Sequence, residues 1–504
     1  MGLEQRTAQW DAIGRTTLDV VVVGGGINGA AIFHHLCAAG YRVLLVEKGD
    51  FASGTSQASA MMIWGGLIHL RRLNLITVGR LCASRDRLIR EKGAWVRART
   101  FRYLPTCESG RKRLAAYTAL YSYWLLGRGR RSRPRFQRDF TERSFLNHDE
   151  FSYSLEYEEA CVEPSDARFV LEWLLPQQSL EHVALNYCNL RGGRFDQAHG
   201  EWCLELADSI AGREAVVRAK WVVNAAGTWT DHLNERFRVE TPYKHIFGKG
   251  VFIGLKRYPQ HQTHLMIEAS EPQDCMSLIP WGPISLWGPT ETRIADMEEG
   301  FSVKPEDVRY LLKQLNRHLS RAVSIDEIVS LRCGVRPLGV NRSTPEPSHT
   351  FDLSRKYRIH QDRAVPWISV YGGKLTSCVP LAKAIVNLLR ECLQPGTPRS
   401  TLPLISMPRP ELEGFPNLCE KVPSARWCAE WEMCWNLEDY LRRRTNISQW
   451  VARGGLGFHN ENTQHLTTLA RAFHGDDEAG VEAAVRSYER KIEREFDDVL
   501  ANAI

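Results

Sequence analysis

Residues Thr17–Lys48, TLDVVVVGGGINGAAIFHHLCAAGYRVLLVEK, constrain this chain more than any other stretch. An apolar run, Val20–Val23, ends in three glycines; a helical pattern follows, and a second apolar run, Val43–Val46, stops at Glu47. This is the pattern of a β–α–β unit with a dinucleotide-binding turn at its first corner. Gly24 lets the chain turn sharply, Gly26 lets backbone N–H groups approach a pyrophosphate, and Gly29 lets the helix pack close on the strand. The helix N-terminus then directs its partial positive charge at the phosphates. Glu47 stands about twenty residues on, where a carboxylate accepts hydrogen bonds from ribose hydroxyls. G-x-G-x-x-G alone is a weak signal, but here strand, helix, second strand and acid surround it in order.

The stretch after the turn, DFASGTSQASAMMIWGGLIHL, is rich in small hydroxyl residues and glycine, among them Thr55, Ser56 and Ser59. Such a loop can wrap a cofactor, because its N–H groups and hydroxyls donate without steric bulk. Farther on, Ala219–Gly227 (AKWVVNAAG) reads as a buried parallel strand ending in a tight turn. Trp367–Ser377 (WISVYGGKLTS) reads as a strand, a Gly372-Gly373 turn and a helix that starts near Thr376 and runs through Leu389. His245–Leu255 and Met276–Glu291 read as strands of a second sheet. Pro305–Leu319 carries Val308, Leu311, Leu312 and Leu315 at amphipathic helical spacing. From Gln394 on, a Pro-rich linker leads into charged helical patterns with no catalytic constellation.

At 504 residues, with 43% hydrophobic and 25% charged residues, the chain is long enough for two or three folded domains. Its net charge of +6 suits an anionic substrate or an acidic lipid surface and is too slight to argue for nucleic acid. The 13 cysteines are odd in number and form no C-x-x-C pair, which speaks against a disulfide framework or a metal cluster and for a reducing cytosol. His459, His465 and His474 stand singly, so no metal is expected. The N-terminal residues are polar, without a signal-peptide core, and there is no run of eighteen apolar residues. The expected location is therefore the cytoplasm. Arg111–Arg135 sets Leu114, Tyr117, Tyr121, Trp124 and Leu125 at helical spacing between arginines. A basic amphipathic helix lies either in a membrane interface or on the body of the protein, so a peripheral contact with the inner face of the membrane stays open.

Several motifs together carry a resemblance. GGGINGAAI…VEKGDFASGTSQASAMMIWGGL, VEPSDAR at Val162–Arg168, NAAGTW at Asn224–Trp229, GVRPL at Gly334–Leu338, GGKLT at Gly372–Thr376 and YLRRRT at Tyr440–Thr445 resemble the FAD-dependent glycerol-3-phosphate dehydrogenases, within the D-amino-acid-oxidase-like flavoprotein superfamily. The likeness covers nearly the whole chain. It implies an α/β fold: a discontinuous Rossmann-like FAD-binding domain (17–105, 162–240 and 330–394), an antiparallel-sheet substrate domain (106–161 and 241–329) and a C-terminal helical domain (395–504). It implies FAD, held by Gly24, Gly26, Asn28, Gly29, Glu47, Lys48, Thr55, Ser56, Ser59, Ala226, Gly227, Gly373, Lys374, Leu375 and Thr376. The helix opening at Thr376 would point its free N–H groups at the N1/O2 edge of the flavin, where negative charge gathers on reduction. Arg336, Arg355 and Lys374 stand where the family places basic active-site residues, and guanidinium groups suit an anion because they hold two oxygens at once. The implied reaction moves a hydride from a carbon bearing OH or NH to flavin N5 while a base takes the proton. The implied electron acceptor is a quinone or oxygen, and a homodimer stays open.

The likeness breaks in the substrate region. Where the family reads S-S-K-L-I-H-G-G-L-R-Y-L, Ser59–Leu70 reads SAMMIWGGLIHL, so Met61, Trp64, Ile68 and His69 replace Lys, His, Arg and Tyr. The family's K-G-S-H-I is KGVFI, which puts Phe252 in place of a candidate proton acceptor, and G-T-T-D is GPTE, with Pro289 and Glu291 departing. Each lost charged hydrogen bond to a ligand weakens binding by about 1.5–3 kcal/mol. The expectation is an intact cofactor half and an altered pocket shaped by Trp64, Ile68 and Phe252. Its substrate would be an anion other than glycerol 3-phosphate, meeting Arg336 and Arg355, with His69 or His245 left as candidate acid/base groups. A genuine quinone-linked glycerol-3-phosphate dehydrogenase, or a non-catalytic FAD-binding protein acting through a partner, are the alternatives. An NAD-dependent dehydrogenase would leave the serine-rich loop and GGKLT without a role.

Overall fold

A computed structural model of the chain describes residues 2–67, 70, 74–105, 110–268, 275–295, 300–345, 350, 353–395 and 407–504. Two sheets organise it. In the eight-stranded sheet, Leu18–Val23 lies between Val43–Val46 and Arg213–Asn224; His182–Leu185 and Trp367–Tyr371 follow on either side, all parallel. Arg358–Gln361 runs antiparallel at one edge, and the hairpin Cys188–Asp196/Glu201–Asp208 extends the first half of Arg213–Asn224. The valine-rich runs carry no alternation because both faces are covered, as in other parallel sheets. Val20–Val22 and Val43–Leu45 are fully buried, together with Ile32, Phe33 and Leu36 of the helix Ile27–Ala38. That helix packs on Cys378–Cys392 and Asp166–Leu174.

The ten-stranded sheet is built on Tyr243–Lys256, which pairs antiparallel with Ile328–Asn341 along almost its whole length. Ile284–Gly288 and Thr292–Ile294 flank it on the other side. The expected antiparallel sheet is present with one parallel pair, His264–Glu268 beside Val96–Leu104. Met62–Ile63, Val96–Leu104 and Ile328–Asn341 are hydrogen-bonded into this sheet, whereas the expected division put them on the cofactor side. The GVRPL motif lies in mid-strand: it marks nearness to the site, while backbone hydrogen bonds decide sheet membership. Met276–Glu291 resolves into Cys275–Trp281 and Ile284–Gly288, and the amphipathic helix runs Pro305–His318 with Val308, Leu311 and Leu315 buried.

The C-terminal residues are mainly helical, with Thr463–His474 against Glu478–Ile492. They do not form a core of their own. Phe415, Tyr440, Leu441 and Ile447 share one apolar cluster with Val251, Ile253 and Trp287 of the ten-stranded sheet. Most of the Pro-rich linker, 396–406, lies outside the described residues. The helix Gly110–Leu126 buries Leu120 and Tyr123, outside the stripe read from the sequence, whose Leu114 and Leu125 are exposed and whose Tyr117, Tyr121 and Trp124 are half-buried. No helix among the described residues is long and apolar enough to cross a membrane.

Candidate active site

The first corner follows the glycine logic. Gly24 has φ +111°, and a Cβ there would lie 2.5 Å from the Ala225 carbonyl oxygen. A Cβ on Gly29 would overlap the Gly24 carbonyl oxygen, so strand and helix meet there with no room for a side chain. The helix starts after Gly26 without a side-chain cap, and Ile27 N–H donates to Ser56 Oγ at 3.0 Å. Glu47 Oε2 accepts from Gly25 N–H at 2.7 Å and Oε1 from Gly49 N–H at 2.9 Å; burial pushes its carboxyl pKa up. Lys48 Nζ sits 3.8 Å over the Trp229 ring, a cation–π contact.

A cavity of about 1590 Å³ opens at this corner. Its walls include Gly24, Gly26, Glu47, Lys48, Thr55, Ser56, Ala226 and Gly227, with Asp231, His245 and Arg342 facing them. Two buried polar atoms, Thr228 Oγ1 in the cavity wall and Asn28 Oδ1 in the first turn of the helix, have no hydrogen-bond partner among the described residues. A large cavity, a helix N-terminus opening beside it and orphaned polar atoms are what a bound dinucleotide would need. The residues present therefore fit FAD.

Gly373, Lys374, Leu375 and Thr376 lie beyond that cavity and are joined to it by hydrogen bonds. Asn28 Nδ2 donates to the Gly372 carbonyl at 2.9 Å, and both glycines of the turn have positive φ, +64° and +97°. A tight turn at Leu375–Ser377 then opens the helix Cys378–Cys392, close to the expected start. Thr376 Oγ1 donates to the Trp64 carbonyl at 3.2 Å, and Thr55 Oγ1 to the Val335 carbonyl at 2.5 Å. These bonds tie the serine-rich loop, the GVRPL strand and the GGKLT turn together.

Other expected site residues are differently engaged. Ser59 donates through Oγ and N to Asp166 Oδ2 at 2.7 and 2.8 Å, and Arg332 Nη2 meets the same oxygen at 2.7 Å, so its hydroxyl holds the loop and is not free for a cofactor. Phe252, expected to shape the pocket, is 1% exposed in the core, its ring behind Gly288. Trp64 is half-buried, with Nε1 2.9 Å from Met62 Sδ. Ile68 and His69 lie outside the described residues. His245 is not a free acid/base group. Gly372 N–H donates to its Nε2 at 3.1 Å, which puts the ring proton on Nδ1, 3.1 Å from Asp231 Oδ2. With both nitrogens engaged, His245 holds the Gly372-Gly373 turn in place.

Two of the three expected basic residues meet at one carboxylate. Arg336 Nη1 lies 2.8 Å and Arg355 Nη2 3.3 Å from Glu291 Oε2. Lys374 has no carboxylate partner among the described residues; burial, then the charges of Arg355 and Lys356, bring its pKa down to about 8.

The sequence reading passed over one cluster. Asp50, at the head of the serine-rich loop, accepts from Arg443 Nε at 2.5 Å and from Arg444 Nη1 and Nη2 at 2.7 and 2.9 Å. Arg442 donates to the Gln57 carbonyl. Burial alone would raise the Asp50 carboxyl, but Arg444 and Arg443 hold it well below the usual carboxylate range. Three consecutive arginines in a segment otherwise patterned for burial were the available signal.

A dinucleotide corner on a parallel sheet, with a strand of a second sheet packed beside the Gly372-Gly373 turn, defines a flavin-dependent oxidoreductase architecture. The chain belongs to the FAD dependent oxidoreductase (DAO) family, whose match spans residues 19–387. It is an enzyme with FAD as its cofactor. The aerobic glycerol-3-phosphate dehydrogenase of Escherichia coli K12 is 29% identical over 376 residues, 74% of this chain and 73% of that protein. The D-erythritol 1-phosphate dehydrogenase of Brucella abortus is 25% identical over 385 residues, 74% of each. The structure of a Bacillus halodurans glycerol-3-phosphate dehydrogenase complexed with FAD shares the fold at TM-score 0.69 and 19% identity, over 99% of this chain and 98% of that one.

Proposed function

We propose that this enzyme oxidises a carbon bearing a hydroxyl or amino group in a small anionic substrate other than glycerol 3-phosphate. The observation that supports the reading is the meeting of Arg336 and Arg355 at Glu291, with Lys374 near enough to feel the Arg355 charge, while Met61 and Trp64 stand where the family pattern has Lys and His. Bound FAD supplies the hydride acceptor, flavin N5. The guanidinium groups of Arg336 and Arg355 orient the anionic end of the substrate. Lys374 Nζ takes the proton from the reacting group, which an amine brought down to about 8 does far more readily than an ordinary lysine. A quinone or oxygen receives the electrons.

The similarity to glycerol-3-phosphate and D-erythritol 1-phosphate dehydrogenases favours a second reading, a phosphorylated polyol as substrate. Anaerobic titration of the yellow protein separates the two. Bleaching of the flavin by hydroxy or amino acids supports the first reading, and prompt bleaching by glycerol 3-phosphate establishes the second. Flavin that stays oxidised with the whole panel overturns both. A cytoplasmic enzyme touching the inner face of the membrane would do so through exposed Leu114 and Leu125, beside exposed Arg128, Arg130 and Arg133. Flotation with anionic liposomes at low salt is the check, and failure to float removes the contact.

A further inference from the structure

Gly372 opens the Gly-Gly turn with both of its backbone groups engaged by side chains from distant elements. Its N–H donates to His245 Nε2 at 3.1 Å, from the strand Tyr243–Lys256. Its carbonyl accepts from Asn28 Nδ2 at 2.9 Å, from the first turn of the helix Ile27–Ala38. The approach is close on both sides. A Cβ on Gly373 would lie 3.1 Å from Asn28 Nδ2, and one on Gly339, the register partner of His245, 3.4 Å from Gly372 N. The His245 side chain is fully buried, its ring 4.8 Å from that of Tyr371.

An imidazole accepts at Nε2 only when it is neutral and its proton sits on Nδ1. Asp231 selects that form. Its Oδ2 lies 3.1 Å from Nδ1 and also accepts the backbone N–H of His245 at 2.9 Å, and an ionised carboxylate only accepts. Asp231 stands in the first turn of the helix Thr230–Arg236, and it lines the cofactor cavity together with His245. Past Gly372, the N–H groups of Gly373, Leu375 and Thr376 have no partner among the described residues. Such unpaired N–H groups carry partial positive charge and favour an electron-rich ligand.

We propose that Asp231 and His245 are positioning residues for the cofactor: the carboxylate fixes the imidazole tautomer, the imidazole fixes Gly372, and Gly372 fixes how the unpaired N–H groups after it are presented to bound FAD. The inference rests on FAD as the cofactor and not on which substrate is oxidised. With the ring proton on Nε2 instead, two N–H groups would face each other. The Gly372 donor would then be buried without a partner, and the turn would shift to relieve it. Reduction adds electron density to the flavin, so aligned N–H groups favour the reduced form and a displaced turn favours the oxidised one.

The test is the two-electron midpoint potential of the bound flavin at pH 7.5 in wild type, His245→Gln and His245→Asn holoenzymes, from reductive titration against reference dyes. A glutamine amide reaches about as far as Nε2 and can accept from Gly372, whereas an asparagine amide reaches only as far as Nδ1. His245→Gln is expected to keep the reduction equilibrium within about threefold of wild type. His245→Asn is expected to shift it at least about tenfold toward oxidised flavin, a potential lower by about 30 mV. Equal potentials in wild type and His245→Asn, or an equal fall in both variants, overturn the proposal. Should His245→Asn fail to fold, nitrogen NMR of wild type with labelled histidine decides alone: a proton on Nδ1 of His245 supports the proposal, and one on Nε2 overturns it. Neither readout involves substrate, so the outcome stands apart from the anaerobic bleaching that tests the proposed function.

Discussion

Lys374 carries the sharpest consequence of protonation at the scale of single residues. Its ammonium group is held at about 8 by burial and by the cations Arg355 and Lys356, against about 10.4 for an unfolded lysine. As the proposed proton acceptor it works when neutral, so kcat/KM is expected to rise as pH passes through about 8. Lys374→Met should lower turnover by roughly 10²–10⁴-fold and remove that rise, read from initial rates against pH. The stability effect has a definite sign. Between about 8 and the unfolded value the unfolded chain binds more protons, so the lysine's penalty is fully present below pH 8 and fades as pH rises. Lys374→Met should therefore gain more in Tm at pH 7 than at pH 10. At the corner, Gly29→Ala would force a methyl group against the Gly24 carbonyl. That variant is expected to purify without flavin, as the absence of absorbance near 450 nm would show.

At the scale of elements, the arginine triplet fastens the C-terminal segment to the back of the loop that lines the cofactor cavity. Asp50 is the shared anion, and removing one partner of a buried ion pair costs about 3–5 kcal/mol because the other charge is left alone. Asp50→Asn is accordingly expected to lower Tm by several degrees and to release FAD, which flavin fluorescence reports. The carboxyl pKa of Asp50 is lowered in the folded state, so its stabilisation is present above about pH 4 and is lost as pH falls below that. Acid-induced FAD release in wild type should fall in this range and be weaker in Asp50→Asn. The turn Gly372-Gly373 is pinned in the same manner, its N–H on His245 and its carbonyl on Asn28.

For the whole molecule, the C-terminal helices and the ten-stranded sheet share one apolar core, in which Tyr440, Leu441 and Ile447 belong to the same cluster as Val251, Ile253 and Trp287. A chain ending at residue 394 would expose that apolar face, and is expected to be recovered insoluble and colourless in expression trials. The sequence by itself determined the corner at Gly24, Gly26 and Gly29 and the helix after Gly373. Glycine spacing and hydrophobic period act over a few residues, and the family motifs marked the rest. Only the tertiary structure decided that Ser59 serves Asp166, that His245 has no free nitrogen, that Glu291 sits between two arginines and that Asp50 meets Arg444, 394 residues away. Such partners depend on the register of Tyr243–Lys256 against Ile328–Asn341 and on how the C-terminal segment returns across the loop. A one-residue slip in that register would turn every side chain to the opposite face, and no local pattern encodes it.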